Sequence, residues 1–165
     1  MSVLAFILRP FRTVRPANRT AHSSNRGPES PAEPLRLSGN WRYEQDVVGE
    51  ASYQRELGAI AGPKSPDGVE VKRTAYLICE DANPHDKNAV AVMIDGRKVA
   101  YLSRQDAVEY RKSLAKLDPS LPNAACRAKI VGGWERVRRN KVEQGHFGVK
   151  LDLVWPLKKI EEKTR

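Results

Sequence analysis

With 165 residues, 40% of them apolar, the chain is of single-domain size and can bury one core. Two cysteines and three histidines rule out a disulfide framework, and a four-ligand zinc site would need several of those histidines beside the cysteines. The formal charge of +9 is concentrated: the first 40 residues hold six Arg against two Glu, the last ten hold four basic against two acidic residues, and Ala124–Lys150 holds seven basic residues against Glu135 and Glu143.

In chain order, residues 1–42 are expected to form a poorly ordered basic leader. Pro10, Pro16, Pro28, Pro31 and Pro34 interrupt any helix, and Ser, Asn and Arg dominate. The opening Met1–Arg15 is apolar, then basic, with no acidic residue before Glu29. It is too short for a membrane span and reverses the order of a secretory signal. An organelle transit peptide and a start codon upstream of the true protein are both open readings of it.

The folded part is expected over residues 43–155, with 156–165 a charged tail. Asp46–Gly49 reads as a short strand, and Ser52 as the cap of a helix over Tyr53–Ala61 that Gly62-Pro63 ends. From Val69 to Cys79 the odd positions are apolar except Arg73, the period of a half-buried strand. A loop follows over Asp81–Lys87. Ala89–Ile94 is a continuous apolar run, Asp95-Gly96 a two-residue hairpin turn, and Lys98–Leu102 the returning strand. Ser103 and Asp106 form a capping box for a second helix with the stripe Ala107, Tyr110, Leu114 and Leu117, stopped by Asp118-Pro119.

Cys126, Ala128 and Ile130 alternate with Arg127 and Lys129, giving a strand with one charged face. Trp134–Gly145 is a basic loop or long hairpin, and Phe147, Val149, Leu151 and Leu153 mark the last strand. The order β-α-β-β-β-α-β-β predicts an α+β fold: a small OB-like, mostly antiparallel barrel of about six strands with two helices. Cys79 and Cys126 lie in apolar alternating runs and read as buried free thiols in a reducing cytoplasm. Trp134 and Trp155 read as packing residues.

A basic stretch over Ala124–Lys150 suits a polyanion, although a solvated hairpin that keeps the chain soluble accounts for the charge equally well. Enzyme signatures are missing: no phosphate-binding Gly-x-x-x-x-Gly-Lys loop, no Gly-x-Ser-x-Gly elbow, no His-Glu-x-x-His helix. Asp81, His85 and Asp86 lie close in sequence, but a nuclease metal site would need further carboxylates from elsewhere. No cofactor is expected.

The most specific stretch is Asn83-Pro84-His85-Asp86-Lys87-Asn88-Ala89-Val90-Ala91-Val92, followed by Gly96-Arg97-Lys98-Val99-Ala100-Tyr101-Leu102-Ser103. Its first part is a turn in which Asp86 and Asn88 can bond neighbouring amides. This stretch resembles the HIRAN domain, found at the front of helicase-like repair ATPases and as short stand-alone bacterial proteins. The resemblance covers about Asp46–Leu153, including Val47-Val48-Gly49 and the closing Gly145-His146-Phe147-Gly148.

The resemblance implies recognition of single-stranded DNA at its 3′-hydroxyl end. Asp86 matches the carboxylate that accepts a hydrogen bond from the terminal hydroxyl, and Asn83 its polar neighbour. Tyr53 matches an aromatic on which the last base stacks, and Phe147 is placed like the closing-strand aromatic that sandwiches a base. His85 stands where the family has Tyr, Tyr101 where some members have His, and Ala51-Ser52-Tyr53 where DNA-end-binding members carry Arg-Tyr-Tyr. Arg127, Arg138 and Arg139 would follow the phosphates. The expected role is a non-catalytic DNA grip in DNA repair or processing, working beside a separate ATPase, helicase or nuclease and independent of any membrane. Two rivals remain: a protein-interaction module using the barrel cleft, and a small metal-dependent nuclease.

Overall fold

A computed structural model describes residues 34–121 and 123–160. The expected leader up to residue 33, with its transit-peptide reading, and the last five residues lie outside the described residues.

The chain is α+β: two helices on a curled, mostly antiparallel sheet whose six-strand path forms a small OB-like half-barrel. The strands are β1 (Leu35–Arg36), β2 (Gln45–Asp46), β3 (Val69–Cys79), β4 (Val90–Ile94), β5 (Arg97–Tyr101), β6 (Asn123–Gly132), β7 (Glu135–Arg138), β8 (Lys141–Gln144) and β9 (Phe147–Asp152). Helix α1 spans Gln54–Ala61 and α2 spans Arg104–Leu117. The path runs β2-β9-β6-β3-β4-β5, with β1 parallel to β6 and β7-β8 a separate hairpin. Val48 then pairs with Tyr101, exchanging both backbone hydrogen bonds at 2.8 and 2.9 Å, so residues 45–48 begin as β2 beside β9 at one end of the path and reach β5 at the other.

Period-two alternation decides which faces pack. Ala75 and Leu77 of β3, Ala124, Cys126, Ala128 and Ile130 of β6, and Phe147, Val149 and Leu151 of β9 are all buried in one core. Arg73, the odd position that broke the pattern, is exposed. It lies beyond the last β3–β4 pair, Ala75–Ile94, and its Nε donates to Asp95 at 3.1 Å. Asp95 and Gly96 both have positive φ, 48° and 73°, the geometry of the tight hairpin turn expected there.

Helix α2 lays Ala107, Tyr110 and Leu114 on the core, and Leu117 packs at its margin. Its start is the expected box, with Ser103 Oγ accepting from the Asp106 amide at 3.1 Å. The Tyr110 hydroxyl, inside the core, donates to the Leu77 carbonyl at 3.3 Å. Cys126 is a buried free thiol, which burial pushes up to about 12; Cys79 is also free but only half-buried.

Four expectations are corrected. The fold begins before Tyr43: Leu37 is buried and its amide donates to Ala125 O at 2.7 Å, while β1 extends the edge of β6 beyond the last β9 pair. It also continues past Trp155, since Leu157 is buried and the Ile160 amide donates to Arg36 O at 2.8 Å. Ser52 caps nothing; it lies in a 3₁₀ turn over Glu50–Tyr53 that leads into α1. Trp155 is exposed, its indole N–H donating to Gln45 at 2.8 Å, whereas Trp134 is half-buried.

Candidate functional site

Three separate segments meet in one cleft of about 380 Å³, lined by Val48, Tyr53, Asn83, His85, Asp86, Ala89, Tyr101, Leu102 and Arg104. Tyr53 arrives from the 3₁₀ turn, the four-residue run from Asn83 from the β3–β4 loop, and Tyr101 from the end of β5. Tyr53 is placed by its neighbour Gln54. That side-chain amide pairs with both backbone groups of Phe147, donating to O at 2.9 Å and accepting from N at 2.8 Å, and so docks α1 on β9.

The loop is shaped by its own side chains and clamped by one arginine. Asn83 Oδ1 accepts from the amides of His85 at 2.9 Å and Asp86 at 3.3 Å, and its Nδ2 donates to Glu80 at 2.9 Å. Asn83 therefore engages both its Oδ1 and its Nδ2 in holding the loop. Asp86 accepts from the Asn88 amide at 2.8 Å through Oδ1, leaving Oδ2 without a hydrogen bond to the described residues. From α2, Arg111 donates to the carbonyls of Asn88 at 2.9 Å and Ala89 at 3.1 Å, and to Asp81 at 2.6 Å. Asp81 is thereby occupied, and among the described residues no three His, Cys, Asp or Glu side chains gather as a metal ion would require.

Beneath the tyrosines lies a charged network. Lys98 Nζ donates to Glu80 at 2.5 Å and to the Tyr101 hydroxyl at 2.7 Å, and that hydroxyl donates to the other Glu80 oxygen at 3.0 Å. Burial pushes the Glu80 carboxyl up, but the donors Lys98, Asn83 and Tyr101 outweigh it and hold it below its ordinary range. The bond to Glu80, then that to Tyr101, raises Lys98. Tyr53 is raised by burial and by the neighbouring Tyr101 hydroxyl.

Of the nine residues expected to bind DNA, Tyr53, Asn83, His85, Asp86 and Tyr101 line this cleft. The other four do not. Phe147 is a core residue at 5% exposure; it packs against Gly133, where a Cβ would overlap its ring, and so presents no face to a base. Arg127 lies on the outside of the sheet, bound to Asp152 at 2.6 Å. Arg138 and Arg139 sit at the tip of the β7-β8 hairpin, fully outside the core. That hairpin leaves β6 beside Val69, while the cleft loop leaves β3 after Cys79, so the two flank opposite ends of β3.

Glu80, Lys98, Arg104 and Arg111 line or brace the cleft, which alternation could not reveal. Lys98 and Tyr101 are three residues apart yet meet, because the β4–β5 register shifts between Val92 and Met93 and both Val99 and Ala100 turn into the core.

No protein-family model matches the chain, no curated protein matches it, and no solved structure matches it. Among the described residues no helix is long and apolar enough to cross a membrane.

Proposed function

We propose that the cleft receives the free 3′-hydroxyl end of a single DNA strand, and that the protein is a non-catalytic end-binding module, as its resemblance to the HIRAN domain implies. The observation that carries this reading is the meeting of Tyr53, Tyr101, His85 and Asp86 around one depression with apolar walls that Arg104 also lines. Stacking on tyrosine is tolerant of base identity and contributes about 1–3 kcal/mol per base. The uncommitted Asp86 oxygen accepts a hydrogen bond from a terminal hydroxyl and repels a terminal phosphate, so selectivity comes from the unfavourable contact as much as the favourable one. Arg104 meets the phosphodiester behind the last nucleotide. The protein would act in the cytoplasm beside a separate ATPase, helicase or nuclease of DNA repair.

Fluorescence anisotropy with a short labelled single strand tests the reading. Tyr53→Ala should weaken binding by about 1–3 kcal/mol while Tyr53→Phe keeps most of it. Equal affinity for wild type and Tyr53→Ala contradicts it, and binding of a peptide in place of DNA would favour a protein-interaction module.

A further inference from the structure

The outer face of the sheet, away from the cleft, carries aromatic and basic side chains together. On β3 and β6, Thr74, Tyr76 and Arg127 alternate with the buried Ala75, Leu77 and Cys126, and Thr74 stands directly across from Arg127. A depression of about 730 Å³ there is lined by Trp41, Tyr43, Tyr76, Lys72, Arg73 and Arg127, among others. It adjoins a second depression that shares Thr74, Tyr76 and Arg127 and reaches Arg36. Arg73 is met by Asp95, but among the described residues neither Arg36 nor Lys72 makes an ion pair.

Trp41 is held in place by the interior. Asp152 is completely buried, and its Oδ1 accepts from the backbone amides of Asn40 at 3.0 Å and Trp41 at 2.8 Å. Its Oδ2 accepts from Arg127 at 2.8 Å through Nε. A Cβ at Gly39 would overlap that carboxylate, so only glycine lets the chain pass so close. Trp41 itself has φ 67°, a left-handed conformation unusual for a bulky residue. The result is a Trp41 that is 66% exposed as a residue, with the Arg127 guanidinium 3.6 Å from its ring centroid. The buried carboxylate and the stacked guanidinium together fix the position of one large, mostly exposed aromatic side chain.

We infer that this outer face is a second nucleic-acid surface, which takes an internal stretch of single strand by stacking a base on Trp41 and Tyr76 and placing phosphates on Lys72 and Arg36. Aromatic rings interleaved with cations that make no ion pair among the described residues are the combination a sequence-tolerant single-strand track requires. Because this surface needs no strand end, the inference stands apart from the reading of the cleft.

A closed circular single strand has no 3′ end and tests the outer face by itself. Wild type should bind it with an affinity that falls as salt rises. Trp41→Ala should bind it about tenfold more weakly, Trp41→Phe should stay close to wild type, and Lys72→Ala with Arg36→Ala should lower the salt dependence. Arg127 is left in place, since its removal would strand Asp152 in the interior. Circular dichroism checks that each variant folds. Failure of wild type to bind the circle, or Trp41→Ala binding it as wild type does, overturns the inference; either result leaves the cleft reading to be judged on linear strands.

Discussion

The Tyr53 and Tyr101 rings lie with centroids 6.4 Å apart and planes tilted by 50°. That is the geometry of two aromatic side chains packed on each other, leaving no slot for a base between them. A terminal base bound as proposed would therefore meet the exposed side of the pair. It is not sandwiched between Tyr53 and Phe147, because Phe147 is sealed in the core.

The Glu80 network makes the platform sensitive to pH. A carboxyl held low in the folded state stabilises the fold above its ordinary value of 4.5, and that stabilisation is lost as pH falls through the lower folded value. Lys98 is the mirror case, its contribution being full below 10.5 and lost as pH rises through a higher folded value. Glu80→Gln should cost about 1–3 kcal/mol at neutral pH. Its urea midpoint should also fall less than that of wild type between neutral pH and strongly acidic pH. Parallel midpoint curves for the two proteins would contradict this.

Arg111 is the clamp of the β3–β4 loop, joining Asp81 at one end to the Asn88 and Ala89 carbonyls at the other. Arg111→Ala should speed hydrogen exchange at the amides of residues 81–89 while the β3 and β6 amides stay protected. Uniform exchange changes across the sheet would show that Arg111 supports the whole fold and not the loop.

Phe147 and the hairpin arginines should separate cleanly. Phe147→Ala should destabilise by about 3–5 kcal/mol, the range for emptying a buried aromatic site, as read by urea unfolding. Arg138→Ala with Arg139→Ala should leave stability within about 0.5 kcal/mol. If the hairpin touches phosphates, the double variant should also lower the slope of binding against salt by about one to two. An unchanged slope would remove the hairpin from the DNA path.

How far the sequence disclosed this depends on where periodicity holds. The bounds of β3 follow from an alternation broken at Arg73 alone, and α2 from its Ser103–Asp106 box and apolar stripe. Phe147 is in phase with Val149 and Leu151, so its burial was legible in the same alternation. Lys98 and Tyr101 were hidden as partners because a bulge breaks the period between them. The early boundary failed for a different reason: β1 is two residues long, and Leu37 is fixed by pairing with Ala125 and Lys159, distant positions that leave no local pattern. Trp41 was equally silent, because only the buried Asp152 far along the chain explains its pose.

The central claim rests on Asp86, whose Oδ2 is left uncommitted among the described residues at the edge of the cleft. The most direct measurement compares the affinity of wild type for one linear strand ending in 3′-hydroxyl and the same strand ending in 3′-phosphate, and repeats the comparison with Asp86→Ala. Wild type should prefer the hydroxyl end by about tenfold, equivalent to about 1.4 kcal/mol, and Asp86→Ala should bind both ends alike. Equal binding of the two ends by wild type would contradict end recognition at this cleft.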